Sequence, residues 1–131
     1  MADIKKLIKN GLSKDGTVLN LKAQYIRETG ARALAQCEEL ETVRALDLSQ
    51  NDIGDEGVKA ISESPYLSNL RVLNLKSNCI GDKGAQYLAN TKTLTNVRSL
   101  QLVVNDISED GEKALRTSSC LRSLTSLKFR V

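Results

Sequence analysis

The sequence predicts a right-handed α/β solenoid, with a parallel sheet on its concave face and short helices on its convex face. Three observations carry that expectation. The chain falls into register with itself, without a gap, when shifted by 27 residues. Within each unit, leucines alternate two residues apart, the pattern of a short strand with one face turned inward. After an Asn, an Ile and a Gly-containing turn the apolar spacing becomes helical. Internal periods of this size signal a solenoid.

The register gives an N-terminal helical cap over 1–15, full repeats over 16–42, 43–69, 70–96 and 97–123, and a partial repeat over 124–131. In the cap, Ile4, Leu7 and Ile8 sit at helical spacing before Gly11, and a shift of 27 places Ile4 and Leu7 beneath Ala31 and Leu34. The strand columns are Leu46, Leu73, Leu100 and Leu127, then Leu48, Leu75, Leu102 and Phe129. Next comes a column of Asn51, Asn78 and Asn105, expected to be structural. At the exit of a buried strand, backbone groups lose their ladder partners, and a buried amide both donates and accepts across to the neighbouring repeat. Ile53, Ile80 and Ile107 then enter the core, and Gly30, Gly57, Gly84 and Gly111 mark a close approach of the helix. Asp55, Asp82 and Glu109 are expected to favour the dipole of the helix they open. Val58 and Ile61, or Ala85 and Leu88, continue it, and Leu40, Leu67, Leu94 and Leu121 lead back to the next strand. The first repeat departs from the pattern, with Gly16 for the leading Leu or Val and Gln24 for Asn, which suits a terminal repeat.

This pattern, LxxLxLxxNxI followed by "GDEG" or "GDKG" and a short helix, resembles the leucine-rich repeat, specifically its helical, ribonuclease-inhibitor-like subclass. The resemblance covers about residues 16–131. It implies non-catalytic protein–protein recognition through the concave face.

Composition narrows the alternatives. A chain of 131 residues is sized for one domain, and 40% hydrophobic with 27% charged residues is a globular balance. Aromatics are 3% with no Trp, so the core is aliphatic and base-stacking platforms are missing. No apolar run reaches the length of a signal peptide or a membrane span. Cys37, Cys79 and Cys120 fall in three different columns and read as ordinary, partly buried thiols, reduced in a cytoplasmic setting. With no His and no CxxC, neither a zinc site nor a base for a cysteine nucleophile is available. The "GDKG" turns lack the GxxxxGK[ST] of a phosphate loop, and the carboxylates of "CEELE" and "SEDGE" read as solvated helix ends. The expectation is therefore no enzyme, no cofactor and no metal.

Recognition falls to the outward strand positions. One column reads Thr17, Arg44, Arg71, Arg98 and Thr125, and those beside it contribute Lys22, Lys76, Lys128 and Arg130. These seven basic residues face a single acid, Asp47, although the whole chain is only +3. Stacked arginines repel one another unless something negative lies nearby, so the expected partner is an acidic protein segment taken by the guanidinium forks. Nucleic acid is unlikely for want of aromatics, and no membrane is implied. A second candidate contact is an apolar spot formed by Val103 and Val104 with Val131. Two alternative functions from other classes remain for this chain: a bacterial effector that uses the same scaffold on a host protein, and a regulatory nucleic-acid binder. The ending "LTSLKFRV" stops after a fifth strand, which reads as part of a longer array, as an edge protected by Lys128 and Arg130, or as an edge that pairs with a second copy; the protein is then a monomer or a dimer through that strand.

Overall fold

Every 27 residues the chain lays down one three-residue strand, and five such strands join in chain order into a single parallel sheet. The computed structural model describes residues 3–131. Its strands are β1 (Val18–Asn20), β2 (Ala45–Asp47), β3 (Val72–Asn74), β4 (Ser99–Gln101) and β5 (Ser126–Lys128). Leu19, Leu46, Leu73, Leu100 and Leu127 stand in one row across them. Behind the sheet run α2 (Arg27–Leu34), α3 (Gly54–Glu63), α4 (Asp82–Ala89) and α5 (Glu109–Arg116), each packed on the next. A helix α1 (Ile4–Gly11) precedes β1, opened by Asp3, whose carboxylate accepts from the Lys6 N–H.

The core is the aliphatic filling between sheet and helices. Leu48, Leu75, Ile53, Ile80, Val58, Ile61, Leu88 and Leu40 are all buried within it. The helices approach too closely for a side chain at the glycine column. A Cβ on Gly84 would lie 2.6 Å from Ile80 Cγ2 and 2.7 Å from Asp55 Oδ1, and one on Gly111 would lie 2.6 Å from Asp82 Oδ1.

Polar ladders join the repeats at each corner. The Asn78 Oδ1 accepts from the Asn51 N–H (3.0 Å) and the Ile53 N–H (3.3 Å) of the preceding repeat, while its Nδ2 donates to the Leu48 and Lys76 carbonyls. Asn51 serves Gln24 and Ile26 in the same way, and Asn105 serves Asn78 and Ile80. The corner is tight enough to hold Ala23, Gln50, Ser77 and Val104, all in one column, at positive φ. A second ladder goes beyond the sequence expectation. Asp55 and Asp82 stand in the first turns of α3 and α4, as expected, and also serve the next repeat's helix: Asp55 Oδ1 accepts from the Gly81 (2.7 Å) and Gly84 (3.1 Å) N–H groups, and Asp82 accepts from Ser108. A third ladder was not expected from the sequence. The hydroxyls of Ser64, Thr91 and Ser118 donate to Ala35, Ser62 and Ala89, the carbonyls at the end of the preceding helix.

The two ends of the stack differ. Leu12 forms an antiparallel bridge to Leu19, and Ser13 exchanges backbone and side-chain bonds with Val18, so β1 has a covered edge. Gly11 lies against the Asn20 carbonyl with no room for a Cβ. At the other end, Glu112 occupies the helix column of Ala31, Val58 and Ala85, buried but charged. Arg130 reaches it at 2.6 Å and Arg116 at 3.7 Å, with the Arg116 guanidinium also lying over the Phe129 ring at 5.3 Å. Ion pairs and a stacked ring thus cover that end of the apolar core.

Two pairs of stability predictions follow, one from the asparagine ladder and one from the close approach of the helices at glycine. Asn78→Ala strips buried N–H and C=O groups of their partner and should cost about 1–3 kcal/mol. Asn74 points outward, yet its Oδ1 accepts from the Lys76 N–H at 3.0 Å. The sequence gives no reason to expect that bond; Asn74→Ala should lose about 0.5 kcal/mol, clearly less than Asn78→Ala in urea melts. Gly84→Ala should cost about 1–3 kcal/mol by overpacking. Gly81→Ala meets nothing closer than 3.6 Å and should leave the urea midpoint nearly unchanged.

Candidate functional site

Arg44, Arg71 and Arg98 each immediately precede a strand, and the parallel ladder passes through them. The Arg71 N–H donates to the Arg44 carbonyl and the Arg98 N–H to the Arg71 carbonyl, both at 2.7 Å. Their side chains are exposed and rise from the sheet edge at the strand spacing of about 4.8 Å. Among the described residues none of the three guanidinium groups is ion-paired. They line a polar cleft of about 180 Å³ together with Asn69, Asn96 and Ser123. Asn69 and Asn96 are fixed by donating Nδ2 to the Glu41 (2.6 Å) and Ser68 (2.8 Å) carbonyls of the preceding repeat. That pair was missed from sequence, although a polar residue two positions before each Arg is a visible column.

Beside the arginines, on the open face of the sheet, lies an apolar row. Val18 is 48% and Val72 44% exposed, with Ala45 half-buried between them in the pairing register. Ser99 and Ser126 continue the row as polar positions. The one acid among the outward strand positions is already engaged: Asp47 Oδ1 accepts from the Ser49 N–H (2.9 Å) and the Ser49 hydroxyl (2.6 Å). Asn20, Asn74 and Gln101 make the same local turn to the backbone two residues on. So Asp47 is held by the strand exit, and the arginines keep their full charge toward solvent.

The other sequence candidates separate. Lys22 and Lys128 are exposed and Lys76 half-buried, all on the strand-exit side of the face, across from the arginines. Arg130 leaves the basic face for Glu112. Val103 is a correction: it is 4% exposed, because the corner begins at its position and buries a short side chain there, as it does Ser49, while the longer Lys22 and Lys76 of the same column reach out to solvent. Only Val104, 61% exposed, and the terminal Val131 remain of the apolar spot. Asn51, Asn78 and Asn105 form the corner ladder and present nothing to a ligand.

The thiols also divide. Cys37 is buried and Cys120 half-buried, but Cys79 is exposed, contrary to the partly buried placement read from the sequence. Burial raises the Cys37 thiol above its usual range, and a hydrogen bond with Asp52 raises Cys79. Neither environment favours the thiolate that nucleophilic chemistry needs. On the helix side, Lys59 and Lys83 flank the Tyr87 ring at 5.6 and 6.0 Å, and the Tyr87 hydroxyl donates to Glu56, holding its carboxyl below the usual range. No helix is long and apolar enough to cross a membrane, among the described residues.

Comparison with known proteins agrees with this geometry. A family model described as Leucine Rich repeat matches residues 39–62 and again 66–89. The two matches are offset by the same 27 residues as the strands, and each spans the approach to a strand, its corner and most of the following helix. No curated protein matches the chain. Five parallel strands alternating with helices, in register with those two matches, are the architecture of a leucine-rich-repeat solenoid.

Proposed function

We propose that the chain is a non-catalytic protein–protein interaction scaffold that takes an acidic partner on the Arg44–Arg71–Arg98 ladder. Leucine-rich repeats as a class support the scaffold role. The acidic partner rests on one observation: three exposed guanidinium groups stacked at strand spacing, with no carboxylate among the described residues paired to any of them. Like charges held about 5 Å apart cost free energy, and a bound carboxylate or phosphate relieves that cost through bidentate bonds. Asn69 and Asn96 stiffen the adjoining wall, which limits the ordering cost of binding. A helix in every full repeat supports the ribonuclease-inhibitor-like subclass. The three unbridged cysteines support a reducing, cytoplasmic setting.

The test is a comparison of two charge-matched variants in pull-down and titration. Replacing Arg44, Arg71 and Arg98 by Ala should weaken an acidic partner at least tenfold, about 1.4 kcal/mol, and leave the melting temperature unchanged or higher. Replacing the exposed Lys6, Lys9 and Lys14 by Ala removes the same charge away from the ladder and should leave binding within about twofold, 0.4 kcal/mol. Equal losses in both variants would reduce the effect to net charge and refute the site.

A further inference from the structure

We infer that the partner element is an amphipathic acidic α-helix lying across the strands, with its acids on the arginine row and its apolar stripe on Val18, Ala45 and Val72. The inference rests on the acidic-partner reading and adds the shape and second surface of the ligand. Two parallel rows cross the sheet: the arginines before β2, β3 and β4, and the apolar row on β1, β2 and β3. Within a strand the rows are one residue apart, about 3.3 Å, and along the stack they are staggered by one repeat.

Spacing selects the helix. Each row repeats at about 4.8 Å, so three members span about 9.6 Å. Side chains on one face of an α-helix recur every turn, about 5.4 Å, and three of them span about 10.8 Å. The mismatch of about 1.2 Å over the whole row lies within the reach of a flexible guanidinium. On an extended strand, side chains of one face recur at about 6.7 Å and span about 13.4 Å, so the third acid overshoots Arg98 by nearly a full repeat. The apolar row decides against a bare polyanion. Val18 and Val72 offer about half their surface to solvent beside the charged row, and nucleic acid backbone gives them nothing to bury against. The stagger adds a further condition: the acids of the bound helix sit about one turn further along than its apolar stripe. The matching sequence pattern is acids at i, i+3 or i+4, and i+7, with apolar residues at the same spacing on the adjoining face.

Fluorescence anisotropy with three labelled peptides of identical composition tests this against the full chain. The first carries Glu and Leu at the stated helical spacings with the one-turn stagger, the second has the Glu residues distributed around the helix, and the third has the alternating spacing of an extended strand. The expected result is that the first binds at least tenfold more tightly than the other two. Its affinity should fall at least tenfold in the Arg44/Arg71/Arg98→Gln variant and at least threefold in Val18→Ser/Val72→Ser. The substituted side chains are exposed, and melts of both variants check that the fold is kept. Equal binding of all three peptides, still lost in the arginine variant, overturns the helix and leaves the acidic-partner reading standing. Binding of none of them, or binding indifferent to the arginine variant, overturns both. Tighter binding of duplex DNA than of the first peptide, with loss in the arginine variant and none in the valine variant, assigns the row to a polyanion and overturns the helix.

Discussion

The fold depends on a single constraint: what one repeat leaves unsatisfied at a corner, the next must supply from an equivalent position. A three-residue strand satisfies few backbone groups, and the turn that follows exposes several more in the interior. The asparagine amide resolves this because it donates and accepts at once, so one side chain closes the corner of its own repeat and that of the repeat before. The same economy governs the helices. Asp55 and Asp82 cap helices that are not their own, and Ser64, Thr91 and Ser118 satisfy carbonyls at the ends of helices that are not their own. Asparagine and hydroxyl ladders reach back toward the N-terminus and the aspartate ladder reaches forward, so the central junctions are held from both sides. Stability in such a stack resides mainly in junctions, which accords with nearest-neighbour behaviour in solenoids.

The surface follows from the same constraint. Because the strand ladder extends one residue beyond each strand, any residue placed there is stacked on its copies whether or not its charge tolerates it. Three arginines are forced into a row at strand spacing, and Asp47, the acid of the outward strand columns, is held by Ser49 at the opposite end of the strand. A cleft walled by Asn69 and Asn96, next to a short apolar row, offers charge, hydrogen bonding and burial within three residues of each other.

Much of this is legible in the sequence, and the limits have a physical cause. Columns at a fixed period reveal which residues stack. The leucine rows, the asparagine corner, the glycine column and the arginine row could all be read for that reason. Columns do not reveal which way a side chain turns when two neighbours compete for it. Asp55 stands at the start of α3, but the unpaired N–H groups of the next helix draw it forward. Arg130 sits in a basic outward column, but buried Glu112 draws it to the end of the core. Val103 reads as surface in a strand counted by alternation, yet the corner begins there and folds it under. Ser64, Thr91 and Ser118 passed unnoticed because Ser and Thr are common in loops; only their column identity betrays them.

The period of the ladders has a consequence for chain length. Corner bonds join residues 25, 27 or 30 positions apart, all clustered around one repeat. Adding or removing one residue in a strand or corner would misalign every ladder on that repeat, whereas adding or removing a whole unit reconnects each group with an equivalent partner. In its strands and corners the chain thus keeps every ladder only when its length changes in quanta of 27 residues. Each quantum that carries an Arg before its strand lengthens the charged row by one rung, about 4.8 Å. The number of repeats therefore acts as a ruler, setting together the stability of the stack and the length of the charged row.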